Sequence, residues 1–236
     1  MNLEALSQRL MESLVNGDRD WARTIVDDAR AGGMTPEQVV TDLFWPTYSE
    51  ISNFFRHDQM TTLAHHMATR LLRTLVDQTA REFTRSARNG KTVFAVCGPT
   101  DADELAAQMA VDLLDREGFT ISFAGGGIAN DEILERVQET QPDALLLFAS
   151  APSDLPEVRD LIDTLREIGA CRKTQLIVGG GVFNRAEGLA EEIGADLWAS
   201  DPVDLVTEMK QNAQRRAPEG QRTVGKKHKA PTSRAA

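Results

Sequence analysis

Cys97 closes a short apolar run and stands just before a segment that opens as a helix. There a thiol meets the positive end of a helix dipole, which favours thiolate, and Gly98 leaves the sulfur accessible; the other reading of Cys97 is a small buried strand residue. Asp101, Asp103 and Glu104 follow at the same helix start. They either cap the helix, worth ~1 kcal/mol, or accept hydrogen bonds from the N–H groups of a cationic ring. The triplets Gly125-Gly126-Gly127 and Gly179-Gly180-Gly181 let a flat group approach the backbone closely, or simply turn the chain from strand to helix. Neither is a G-x-G-x-x-G opening a first crossover, and G-x-x-x-x-G-K-[ST] is absent, which argues against dinucleotides and P-loop nucleotides. Adjacent helical residues diverge by ~100°, so His65 and His66 cannot chelate one ion together. Helical spacing turns His66 away from its own helix's apolar stripe, toward solvent or another layer, and leaves His65 packed near the stripe's edge.

Two kinds of segment must position these residues. Residues 1–88 carry helix signals: Asp18 as a cap, Thr35-Pro36-Glu37-Gln38 as a capping box, and Leu63, Met67, Leu71 and Leu75 at four-residue spacing in a helix over 62–87. Pro46 should kink or interrupt the segment that continues through Tyr48, Ile51, Phe54 and Phe55. Four helical segments with short connections imply a small bundle. From Lys91 the pattern becomes short apolar runs (92–97, 120–124, 144–149, 175–178 and 196–199) alternating with amphipathic helices. That alternation predicts a five-strand parallel sheet covered by helices on both faces. Ligands of such sheets bind outside the carboxyl ends of the strands, which selects loops 97–103, 125–130, 150–154 (with Ser150) and 179–184. Cys171 precedes a strand and so falls at the opposite edge.

The composition is that of an ordinary globular protein, with 41% hydrophobic and 26% charged residues, and no apolar run reaches the ~18 residues of a membrane span. Two cysteines are too few for a disulfide framework or a cysteine zinc site, and no secretory signal opens the chain, so a reducing cytoplasm is expected. The net charge is −10, yet from Gln211 on seven Lys or Arg face one acid, Glu219. An acidic body disfavours nucleic acid, which leaves weak contact through a basic, disordered tail. The expected division is a bundle over 1–88, an α/β domain over 90–213 and the tail over 214–236.

The layout resembles cobalamin (B12)-binding modules over roughly residues 10–210. Pro46-Thr47-Tyr48-Ser49-Glu50-Ile51, Phe55-Arg56-His57-Asp58-Gln59-Met60 and His65-His66-Met67-Ala68 look like the bundle of B12-dependent photoreceptors and related regulators. Gly118-Phe119, Pro142-Asp143-Ala144 and Gly179-Gly180-Gly181-Val182-Phe183-Asn184 look like the family's flavodoxin-like domain. The resemblance implies a tetrapyrrole between bundle and sheet. It also exposes departures. Asp103 stands where the family's D-x-H-x-x-G carries the histidine below cobalt, and Ala106 stands at its glycine. Phe148 replaces a serine in the channel for the nucleotide tail, Phe55 replaces a tryptophan, and His65 replaces the glutamate of a Glu-His pair. A carboxylate is a poor substitute for imidazole on cobalt.

These residues lead to the expectation of a non-enzymatic sensory or regulatory protein, a light or redox sensor signalling to a protein partner and able to form a homo-oligomer. Its expected ligand is a linear bilin such as biliverdin, anchored at Cys97 and lined by Asp101, Asp103, Gly125, Gly126, Phe148, Ser150, Gly179, Gly180, Phe54, Phe55 and His66. Cobalamin or haem, with His66 as axial ligand, are the other tetrapyrroles in view. A corrinoid-carrying methyltransferase subunit and a cofactor-free interaction scaffold are the alternative functions.

Overall fold

The computed structural model describes residues 2–169 and 171–218. The first half is helical because each start is capped and each helix has one apolar face. Asn2 accepts the Ala5 N–H to open α1 (Leu3–Asn16), which buries Leu6, Leu10 and Leu14; sequence patterning had not singled out this helix. Asp18 caps α2 (Arg19–Ala31), which buries Ala22, Ile25 and Ala29. Thr35 and Gln38 form the expected capping box at α3 (Pro36–Gln38). A π-helical stretch, Val39–Phe44, then runs without a break into α4 (Trp45–Arg56). Pro46 interrupts by changing register: the Trp45 N–H reaches back five residues to the Val40 carbonyl just before the position that has no N–H to give.

Helix α5 (Thr62–Ala80), capped by Thr61, completes the bundle with Ala68, Leu71, Leu72, Leu75 and Val76 in the core. It ends seven residues short of the expected 87. The backbone beyond it finds partners elsewhere: Ser86 N–H bonds the Arg116 carbonyl and Asn89 N–H the Gly118 carbonyl. Arg85 and Arg88 both pair with Asp115.

The second half is the expected parallel sheet. It comprises β1 (Thr92–Cys97), β2 (Thr120–Gly126), β3 (Ala144–Phe148), β4 (Gln175–Gly179) and β5 (Leu197–Ala199), in the order β2-β1-β3-β4-β5. This is the flavodoxin-like order, with its switch point between β1 and β3. Helices α6 (Asp101–Arg116), α7 (Asn130–Thr140), α8 (Leu155–Ile168), α9 (Gly181–Arg185), α10 (Leu189–Glu192) and α11 (Pro202–Gln211) connect and cover the strands. Strand β2 extends past the expected 124, because a register shift beside Ala95 and Val96 lets Gly125 and Gly126 pair with Val96 and Cys97. At Gly126 any Cβ would lie 2.2 Å from the Gly98 carbonyl oxygen, so this crossing requires glycine.

Helix α6 belongs to both halves. Leu105, Ala106 and Met109 join the core of the bundle, while Ala110, Val111 and Leu114 pack on the sheet. The expected tail begins docked: Gln175 Nε2 bonds the carbonyls of Asn212 and Arg215, and the Ala217 N–H bonds Asp196. The tail from Glu219 onward, including its basic cluster, lies outside the described residues.

Candidate functional site

A cleft of about 820 Å³ opens between the bundle and the carboxyl ends of the strands. Its upper wall is one face of α4. Trp45, Tyr48, Ser52 and Phe55 recur at three- to four-residue intervals, with Ser49 and Arg56 beside them. Trp45 stacks on Tyr48 with ring centroids 5.5 Å apart. From α5 come His65, His66 and Thr69. The floor is the 99–103 turn with Ala106 of α6, and the far end is Ser150, Gly180, Gly181, Asn184 and Arg185. Gly180 has φ +107° and a hypothetical Cβ 2.3 Å from the Ala149 oxygen, so the backbone there is bare by necessity.

The polar groups of the wall and floor are held in defined states. His65 stacks on Phe55 at 3.9 Å with a 12° interplanar angle. Burial first, and then the neighbouring His66, lowers its pKa, which keeps the ring neutral. His65 is 7% exposed, and its Nδ1 has no hydrogen-bond partner among the described residues. The Tyr48 hydroxyl donates to the Ala102 carbonyl at 3.0 Å. Burial, aided by the charge of Asp103, pushes it up to about 12, so it remains a donor.

Asp103 is 3% exposed. Its Oδ2 accepts the Thr100 hydroxyl at 2.6 Å and the Thr100 N–H at 3.3 Å, closing a capping box on α6. Its Oδ1 is buried without a partner among the described residues. Arg185 donates to the Ser150 carbonyl at 2.6 Å, and burial together with the charge of Arg56 lowers its pKa.

Of the residues expected to form the site, Asp101, Asp103, Ser150, Gly180, Phe55 and His66 lie on the cleft. Phe54 does not, since its neighbour Phe55 takes the cleft-facing turn of α4. Gly125 and Gly126 are strand residues covered by Glu104, which accepts from Arg73 at 2.6 Å and from the Gly126 N–H at 3.4 Å. Phe148 and Gly179 line a separate small cavity beneath Trp45.

Cys97 is the clearest correction. It is not among the cleft-lining residues, and burial followed by the charges of Glu104 and Asp103 pushes its thiol up to about 12, opposite to the expected acidification. Sequence reading missed Trp45, Tyr48, Ser52, Arg56 and Arg185 as site residues and assigned His65 to packing alone. The signal available for the first three was their shared helical face with Phe55.

Residues 6–79 and residues 91–206 match two family models, each described as a B12 binding domain. The dimethylamine corrinoid protein 1 of Methanosarcina acetivorans is 22% identical over 213 residues, covering 89% of this chain and 99% of that protein. The dimethylamine corrinoid protein of Methanosarcina barkeri is 21% identical over 214 residues, with the same coverage. Among solved structures, the monomethylamine corrinoid protein of Methanosarcina barkeri superposes with a TM-score of 0.75 at 16% identity, covering 86% of this chain and 96% of that one. These findings overturn the expectation of a bilin-binding photoreceptor with a signalling role: the relatives that match nearly end to end are corrinoid proteins. Among the described residues no helix is long and apolar enough to cross a membrane.

Proposed function

The chain belongs to the B12-binding domain family, and from that premise we propose that it binds a corrinoid in the cleft between bundle and sheet and carries it for a partner methyltransferase. The observation that carries this reading is the cleft itself. Its volume of about 820 Å³ falls in the range of cofactor sites, its wall is aromatic, and its far end exposes backbone at Gly180 and Gly181. Two buried polar atoms without partners, Asp103 Oδ1 and His65 Nδ1, belong to cleft-lining residues on opposite walls. Such atoms are rare unless a ligand or water satisfies them. The end-to-end match to corrinoid proteins supports the same reading.

When bound, the corrinoid supplies a cobalt that accepts and passes on a methyl group. The chain's own residues do the rest. Trp45, Tyr48 and Phe55 would cover one side of the ring and exclude water. Gly180 and Gly181 would leave room for a ring edge, and Arg56 and Arg185, which line the same cleft, would supply N–H donors to it. His66 also lines the cleft and is exposed to solvent.

The test is to mix the protein with methylcobalamin or aquocobalamin, remove free ligand by gel filtration, and read the corrin absorbance. One corrinoid per chain is expected, with Trp45→Ala and Phe55→Ala each weakening retention about tenfold, the loss of one well-packed aromatic contact. Passage of the protein with no corrin absorbance would refute the proposal.

A further inference from the structure

Two features at the floor disagree with a corrinoid whose nucleotide tail enters the sheet. The first is the space available. The cavity beneath the cleft, between α6 and the ends of β3, β4 and β5, measures about 20 Å³. Room for one water takes roughly 10–15 Å³, so the cavity holds a water and not a nucleotide base. Phe148 is the reason. It packs with the sheet core, its ring lies against the backbone of Gly179, and a hypothetical Cβ there would meet the ring at 3.4 Å. Ala106 and Ala110 close the cavity from the α6 side.

The second feature is Asp103. Its carboxylate is fixed by the two Thr100 bonds and crowded by Gly98, where a Cβ would come within 2.7 Å of Oδ2. Its other oxygen, Oδ1, is buried without a hydrogen-bond partner among the described residues, and the side chain offers no nitrogen. A hard oxygen anion with spare acceptor capacity suits a polar hydrogen better than a cobalt seeking an axial nitrogen.

We propose that the cleft recognises corrinoids by the ring alone, with the nucleotide tail left outside the protein, no protein nitrogen on the lower face, and Asp103 Oδ1 accepting a hydrogen bond from the ligand. The substrate class is therefore corrinoids irrespective of their lower base, including cobinamide, which has none. This inference rests on the corrinoid reading above but can fail separately from it.

The experiment compares the affinities of cobalamin and cobinamide for the full-length protein by absorbance titration. It adds the electron spin resonance spectrum of the bound, reduced cobalt(II) form of each, using unlabelled and nitrogen-15-labelled protein. The two dissociation constants are expected to agree within about threefold, and Phe148→Ala is expected to shift the balance toward cobalamin. The cobalt spectrum should be indifferent to the protein's nitrogen isotope. Cobalamin binding about a hundredfold tighter than cobinamide, or a splitting that changes with protein labelling, would overturn ring-only recognition while leaving corrinoid binding standing. Failure of both corrinoids to bind would overturn both proposals.

Discussion

The thiol of Cys97 stands near the N-terminus of α6, where the helix dipole contributes roughly 0.3–1 kcal/mol, less than one pKa unit, toward the thiolate. Burial and the carboxylates of Glu104 and Asp103 outweigh it and hold the pKa at about 12. Alkylation by iodoacetamide at pH 8 should therefore be at least about a hundredfold slower in the folded protein than in urea, and Cys97→Ser should leave corrinoid retention unchanged. Fast native labelling would show that the thiol is accessible after all. Asp112 shows burial acting in the same direction on a carboxylate. Burial comes first, with Asp77 and Asp115 adding to it and Gln108 and Arg85 opposing, and its pKa rises to about 6. Gln108 donates to Oδ1 at 2.7 Å, while Oδ2 has no partner among the described residues. A folded pKa above the unfolded value means the folded state binds the proton more tightly. This favourable contribution is full at low pH and is lost as pH rises through about 6. Asp112→Asn keeps the bond from Gln108 and removes the buried charge. It should raise stability by about 1–3 kcal/mol at pH 8, with the gain vanishing below about pH 4, in urea titrations at both pH values.

At the scale of elements, the 99–103 turn is held by the capping box of Thr100 and Asp103. Thr100→Ala should cost about 1 kcal/mol in urea unfolding and, by releasing Asp103, weaken corrinoid retention, whereas an Asn cap at the same position should recover the stability. The strands were legible in the sequence because parallel strands buried on both faces read as continuous apolar runs, as in Leu145-Leu146-Leu147. The loops at their ends followed from the switch-point rule, which is why Asp103, Ser150 and Gly180 could be named in advance. The α4 wall was harder to read, since Trp45, Tyr48 and Phe55 on a helix look like any core stripe until the layer opposite is known. Helix α1 carries a legible signal of the same kind, Leu6, Leu10 and Leu14 at four-residue spacing between an Asn2 cap and Gly17, and it went unread beside the stronger cap and proline signals that follow it. Gly125 and Gly126 were assigned to a loop because an irregularity in β2 pairing leaves no local signal in a run of glycines. Function was misread for a related reason. Asp103 at the lower-ligand position moves the expectation toward a metal-free bilin and leaves the corrinoid as an alternative, although the cleft and the aromatic wall above it do not depend on that histidine.

For the whole molecule, the question is whether the cleft is preformed or assembled by the ligand. Helix α6 answers through its shared burial: Leu105 is fully buried among bundle side chains, and Ala110 and Leu114, about one and a half and two and a half turns on and so on the opposite side, are buried against the sheet. Polar ties cross the same seam. Tyr48 donates to the Ala102 carbonyl, Arg73 pairs with Glu104 at 2.6 Å, Arg70 with Asp101 at 3.1 Å, and Arg116 reaches Glu37 at 3.3 Å. The ion pairs are partly or largely exposed and contribute little each, about 0–1 kcal/mol, so the apolar seam dominates. Bundle and sheet should therefore unfold together. Variants retaining only Trp45, on the bundle wall, or only Trp198, on β5, should report the same urea midpoint by fluorescence, coincident with far-ultraviolet circular dichroism. Leu105→Ala, which empties a site at the centre of the seam, should lower both midpoints equally through a loss of about 2–5 kcal/mol. Raising the salt to 0.5 M should move them by much less, because screening weakens only the exposed pairs. Two separated transitions, with Leu105→Ala affecting the Trp45 reporter alone, would mean instead that bundle and sheet are independent units and that the cleft between them is closed by its ligand.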